Sequence, residues 1–180
     1  MPILPFAIPE TKPATEYIGG RLVPKMSPRP AHALAQGAFV TALTTWAVEG
    51  GRGWVAPECD FDLTAPGERT NRLVPDVAYM SYERLPYRDD GAPSTPVIAP
   101  DVAVEILSPG QTIENSAERV RIFLACGAQL VILVDCERPV AALFDAGGSR
   151  RSERDGVIEH PSLPGFSMPL ERAFSLPKPR

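Results

Sequence analysis

Cysteine and histidine are both scarce in this chain of 180 residues, and the few present are poorly placed for cross-linking. The three cysteines, Cys59, Cys126 and Cys136, are far apart, odd in number and form no Cys-x-x-Cys pair. A secreted disulfide framework is dense and even-numbered, so the pattern fits a reducing, cytoplasmic compartment with the thiols as small buried hydrophobes. His32 and His160 share no zinc-ligand spacing with them. A surplus of basic residues is missing too: 18 Lys and Arg against 22 Asp and Glu give a net charge of −4. That excludes a strongly basic nucleic-acid coat. No apolar run approaches the ~18 residues of a membrane span. Residues 1–10 are broken by proline and carry no basic residue ahead of their apolar stretch, so they do not read as a signal peptide.

What the chain has in abundance is proline, 21 residues, with 14 glycines. Together they fall short of the ~25–30% that marks low complexity, and they cluster at boundaries. The expectation is one domain over residues 15–174, an extended arm over 1–14 and a short tail over 175–180. Glu16-Tyr17-Ile18 and Arg21-Leu22-Val23 flank Gly19-Gly20, which predicts a hairpin with a two-residue turn. After Pro28 and Pro30, residues Ala35, Phe39, Ala42, Leu43 and Trp46 recur at helical spacing, so a helix is expected over 31–49, stopped at Gly50-Gly51. Alternation predicts a strand over 54–63, and mostly apolar runs predict strands over 73–80 and 102–107. A long loop over 81–100 lies between the last two. A second helix is expected over 115–125 with Ala117, Val120, Phe123 and Leu124 inward, then a strand over 130–134 hairpinned to one over 140–144. The rest reads as polar and then proline-rich. The order is helix, three strands, helix, strand. Its last step has the length of a βαβ crossover and the earlier strands are joined by loops, which predicts a mixed sheet in an α/β fold.

Two acids interrupt apolar strands: Asp76 in Leu73-Val74-Pro75-Asp76-Val77 and Glu105 in Val102-Ala103-Val104-Glu105-Ile106. A buried carboxylate is costly unless it is paired or holds a metal. Strand parity puts Glu105 with Ala103 and Asp101, away from Val102, Val104 and Ile106. On neighbouring strands the two carboxylates could converge on a hard cation such as magnesium. The alternative is an acid at a strand end facing solvent, or one paired with an arginine. Glu16 is a third acid between apolar residues. Arg119 lies four residues before Phe123 on the second helix, where it either reaches Glu105 or is exposed and pairs with Glu118 or Glu114. His32, at the helix start, reads as a capping or hydrogen-bonding residue. Arg150, Arg151 and Arg154 form the densest basic cluster, which either touches a phosphate backbone or, as is usual for such a loop diluted by Asp145, Glu153 and Asp155, is solvated surface.

These residues carry a resemblance. Glu16-Tyr17-Ile18-Gly19-Gly20-Arg21-Leu22-Val23, Met26-Ser27-Pro28 followed by His32, Val74-Pro75-Asp76-Val77, and Val104-Glu105-Ile106-Leu107-Ser108-Pro109 resemble the Uma-type restriction-endonuclease-like family. So do Phe123-Leu124-Ala125-Cys126-Gly127-Ala128, Leu133-Val134-Asp135 and Leu163-Pro164-Gly165-Phe166. That family is a bacterial branch of the PD-(D/E)XK nuclease superfamily, and the likeness runs over residues 15–174. It implies an αβββαβ core, the order that periodicity predicts, with an N-terminal β-hairpin. It further implies a magnesium- or manganese-dependent endonuclease acting on DNA, and a homodimer, as many nucleases of the superfamily are dimeric. Asp76 and Glu105 would be the metal ligands, and Glu16 an accessory acid.

Two positions depart from the pattern. Leu107 stands where the superfamily commonly has a lysine two residues after the acid, and Arg119 stands where family members commonly supply one from the following helix. An arginine can stabilise charge on a phosphate through two hydrogen bonds but cannot accept a proton. The departure therefore leaves a second reading, a catalytically impaired relative that binds nucleic acid or regulates.

Overall fold

The computed structural model describes residues 14–89 and 95–176, so most of the expected N-terminal arm and part of the tail lie outside the described residues. The chain opens with the expected hairpin, β1 (Thr15–Ile18) and β2 (Arg21–Pro24), paired with Ile18 opposite Arg21. Its two-residue turn needs positive φ at both centres, and Gly19 and Gly20 take +55° and +87°. Helix α1 (Pro30–Glu49) follows, with proline at its start where no N–H is needed. Its buried residues Ala35, Phe39, Leu43 and Trp46 are four of those the spacing picked out.

Two predicted strands are each two. The stretch 54–63 divides into β3 (Gly53–Pro57) and β4 (Phe61–Thr64), and 73–80 into β5 (Thr70–Leu73) and β6 (Val77–Ser81). The halves belong to different sheets. The first break falls at Glu58, where φ is +53°. The second falls at Val74-Pro75-Asp76, where proline has no N–H for a ladder. The chain thus passes between two sheets twice, and the two pieces of each strand pair within them.

The larger sheet runs β10-β9-β8-β7-β6-β3, built with β7 (Val102–Ile106), β8 (Leu130–Asp135), β9 (Val140–Asp145) and β10 (Gly148–Glu153). Only β7 and β8 are parallel, and helix α2 (Ala117–Ala125), entered through a 3-10 turn over Glu114–Ser116, crosses between them. The mixed sheet is as expected. Strand β10 is a correction to the polar stretch read there: its exposed Gly-Ser-Arg-Arg face hides an edge strand hydrogen-bonded to β9. The smaller sheet runs β2-β1-β5-β4.

Each face of the large sheet carries its own core. Helix α1 covers Val77, Tyr79, Val102, Val104 and Ile132, joined by Phe166 and Met168 of the C-terminal segment. Helix α2 covers the opposite face, where Ala78, Ala103 and Ala142 are small and let Phe123 and Ile122 come close. The smaller sheet supplies Ile18, Phe61, Leu63 and Leu73 to that second core. All three cysteines are free and only half-buried, and burial pushes the Cys59 and Cys136 thiols up to about 11, so both stay protonated. No described helix is long and apolar enough to cross a membrane.

Candidate active site

The large sheet sets two acids face to face. Val77 lies opposite Val104 and Ala78 opposite Ala103 in the antiparallel β6–β7 pair, so one further step brings Asp76 opposite Glu105. Both point to the α2 side, the face of Ala78 and Ala103. Both are buried, at 2% and 6% exposure. Asp76 Oδ2 accepts a hydrogen bond from the Ile106 N–H at 2.6 Å, which locks its carboxylate across the end of β7.

The hairpin closes over them. Glu16 is buried on β1, where Oε1 accepts from the Val74 N–H at 2.7 Å. Arg119 reaches down from α2 between two carboxylates, with Nη1 on Glu16 and Nη2 2.5 Å from Glu105 Oε1. The exposed arginine paired with Glu118 or Glu114 is therefore not what forms. Glu16, Asp76, Glu105 and Arg119 all line one cavity of about 260 Å³ between the hairpin and the start of α2.

Two more residues join the site. Lys25, just past β2, places Nζ 2.7 Å from Asp76 Oδ1 and 2.8 Å from the Val74 carbonyl, with Glu58 at 3.3 Å. His32, in the first turn of α1, holds Nε2 3.4 Å from the same Asp76 oxygen. It caps nothing: the helix has no side-chain cap, and the His32 Nδ1 is buried without a partner among the described residues. No spacing rule points to Lys25. The signal lay in its neighbourhood, since it sits inside the segment running from the hairpin to Met26-Ser27-Pro28 and His32 that carries the family likeness.

The electrostatics follow from burial. Desolvation works against an ionised Asp76, but the His32 hydrogen bond and the Lys25 charge outweigh it and hold the carboxyl down at about 2. Desolvation dominates at Glu105 and, with the Asp76 and Glu16 charges, pushes it up to about 7 despite Arg119 and Lys25. The ion pair to Arg119 taken alone argues the other way, and burial wins because Glu105 is shut off from solvent and the Asp76 and Glu16 charges add to the effect. Lys25 would be lowered by burial, yet Asp76, Glu105 and Glu58 carry it above its ordinary range. Arg119 is raised in the same way by Glu105 and Glu16 against desolvation.

Opposed buried carboxylates lining a cavity are a situation a cation relieves. Asp76 and Glu105 offer opposed oxygens suited to magnesium or manganese, which take few protein ligands and several waters. Among the described residues no cluster of three or more His, Cys, Asp or Glu makes a complete metal cage, so the protein share would be these two acids.

Other polar clusters serve the fold. Asp101 accepts from the Ser81 N–H at 2.7 Å, and Asp135 from the Glu137 and Arg138 N–H groups in a turn. Arg150 donates to the Glu159 carbonyl and Arg151 to Glu153, so the basic cluster is partly spent on its own surface.

A family model named Uma2, with the description "Putative restriction endonuclease", matches residues 4–171. The fold is similar to a crystal structure from Anabaena variabilis described as "a putative nuclease belonging to DUF820", with a TM-score of 0.81, 24% identity and 92% of each chain covered. No curated protein matches the chain.

Proposed function

Since the chain belongs to the Uma2 family, whose description is "Putative restriction endonuclease", we propose that it is a metal-dependent endonuclease that hydrolyses phosphodiester bonds in DNA. Asp76 and Glu105 hold magnesium or manganese, and a homodimer is part of the same reading. The observation that carries it is the pair of opposed, buried carboxylates Asp76 and Glu105, which line one cavity with Glu16, Lys25 and Arg119.

The cation, when bound, polarises the scissile phosphate and acidifies a water. The protein's own groups do the rest. Lys25 and Arg119 both stay protonated, so neither accepts a proton; they stabilise negative charge as it develops on the phosphate oxygens. Lys25 does so from the hairpin side, where its ammonium is held by Asp76, Glu58 and the Val74 carbonyl. Arg119 is committed to Glu16 and Glu105 and keeps the Glu105 carboxylate aimed. His32 orients Asp76 from the α1 side. The missing strand lysine at Leu107 is thus answered from two directions, a lysine from the hairpin and an arginine from the helix.

The test is cleavage of plasmid DNA with magnesium by wild type, Asp76→Ala and Glu105→Ala, with calorimetric magnesium titration alongside. Both variants are expected to lose cleavage and metal binding. Unchanged cleavage in both sinks the assignment. A second reading, an impaired relative that binds without cutting, draws on the commitment of Arg119 to two carboxylates; wild type that binds magnesium and DNA but leaves the DNA intact would favour it.

A further inference from the structure

Both cations on the floor of the cavity are already matched: Lys25 faces Asp76 and Glu58, and Arg119 faces Glu16 and Glu105. The chain as a whole carries a net charge of −4. A DNA strand has a phosphate for every ~3.4 Å of helix axis, and duplex affinity rests on protein cations that displace its counterions. The phosphates on either side of the one at the floor therefore need cations from elsewhere.

Several arginines away from the cavity are spent within the protein. Arg72 is forked onto Asp62 and Arg121 onto Glu68, and Arg151 reaches Glu153. Three around the mouth are not. Arg21, on β2, lines the cavity from the hairpin side, and Arg29 stands just ahead of α1. Both are exposed, with no ion pair or side-chain hydrogen bond among the described residues. The segment holding Arg29 is fastened to Asp76 at both ends, by Lys25 and by His32, which keeps Arg29 close to the floor.

Arg138 is 70% exposed, and its ion pair to Asp135 is long, at 3.9 Å. It follows β8, whose Val134 carbonyl accepts from the N–H of Leu107 on the cavity wall. The Cys136 thiol lies 3.8 Å from the carbonyl of Ala31, next to His32. Arg29 and Arg138 are each two residues from that contact, so both stand on the α1 side of the mouth, with Arg21 on the hairpin side. A guanidinium takes a phosphate through two parallel hydrogen bonds. These three can do so without abandoning a buried partner.

Resting on the nuclease reading above, we infer that Arg21, Arg29 and Arg138 hold the backbone of a DNA duplex at the mouth. They bind phosphates flanking the one that is cut, Arg21 from the hairpin side and the other two from the α1 side.

Fluorescence anisotropy with a labelled blunt duplex, over a series of salt concentrations and with calcium replacing magnesium to prevent cutting, tests this. Arg21→Gln, Arg29→Gln and Arg138→Gln are each expected to weaken binding about threefold to tenfold at low salt. Each should also flatten the slope of log K against log salt by about 0.9, one phosphate contact. Arg21→Lys should keep that slope. Thermal midpoint and magnesium titration should stay as in wild type, since none of the three is buried. Arg150→Gln makes the same change of charge on the opposite face of the large sheet, where Arg150 lies across from Leu143. It is expected to change neither affinity nor slope. Unchanged affinity and slope in all three mouth variants, or an equal loss in Arg150→Gln, overturns the inference.

Cleavage of the same duplex with magnesium separates the inference from its premise. The triple variant is expected to raise KM at least about tenfold and leave kcat within about twofold, the mark of lost binding rather than lost chemistry. Duplex that binds through these arginines and is never cut defeats the nuclease reading alone. Cutting by the triple variant with unchanged KM defeats the arginine contacts alone.

Discussion

The Lys25 ammonium lies 2.7 Å from Oδ1 of Asp76, although the two residues are 51 positions apart, one just past β2 of the smaller sheet and the other just before β6 of the larger. Asp76 in turn takes the Ile106 N–H on its other oxygen. One carboxylate therefore ties the hairpin end, the sheet-switch segment and the central strand together.

Lys25→Met should separate the two jobs of that lysine. Removing one partner of a buried ion pair costs about 3 kcal/mol, and the Lys25 side chain is only 12% exposed. Urea unfolding is expected to show this loss, with cleavage reduced further than the residual folded fraction explains. Lys25→Arg, which keeps the charge, is expected to restore most of the stability and little of the cleavage, because the bulkier head cannot sit at the same distance.

Arg119→Lys replaces a forked guanidinium that spans Glu16 and Glu105 by a single ammonium. One carboxylate then loses its partner, so a loss of about 1–3 kcal/mol is expected. No gain of cleavage is expected, since Lys25 already supplies the lysine. A gain would favour the impaired-relative reading.

Glu105→Gln isolates a pH dependence whose sign is fixed. The folded carboxyl, at about 7, keeps a proton that the unfolded one, near 4.5, releases. Stability of the metal-free wild type should therefore fall relative to the variant as pH rises from about 4.5 to about 7, by at most about 1.4 kcal/mol per pH unit. Asp76 acts in the opposite sense: its contribution is present above 3.8 and fades as pH falls toward about 2. Chemical denaturation across this range, compared between the two proteins, checks the first; a flat difference would contradict the burial argument.

Asn71→Ala should release the hairpin tip. The Gly19 N–H loses its acceptor on an exposed turn where water can replace it, at a cost of about 0.5–1.5 kcal/mol. Hydrogen exchange at Tyr17, Ile18 and Leu22 is expected to quicken while amides of β7 and β8 stay protected.

How much of this was legible in the sequence depends on the kind of signal. Phe39, Leu43 and Trp46 declare α1 because one face of a helix is apolar, and Val102 to Ile106 declare β7 because both its faces are buried. Glu16, Asp76 and Glu105 could be singled out as charges in apolar surroundings, and all three are buried. The breaks at Glu58 and Pro75 were hidden, because alternation continues on either side of them and only the backbone angle and the missing N–H reveal that the chain changes sheets. Strand β10 was hidden because an edge strand with a solvated face needs no apolar run. Lys25 was hidden because its partner is chosen by that change of sheet, not by anything near it in the chain.

The Arg119–Glu16 contact joins residues 103 positions apart. The β7–α2–β8 unit can close over short loops, but this contact has to bring together the beginning and the middle of the chain, and long closures are slow. The cavity is thus finished only after the sheet beneath it. On the function proposed above, the chain would acquire its cleavage site during synthesis only once β8 has emerged and the hairpin has docked. In refolding, recovery of magnesium binding should lag behind recovery of secondary structure, which makes the site a clock for the last step of its own assembly.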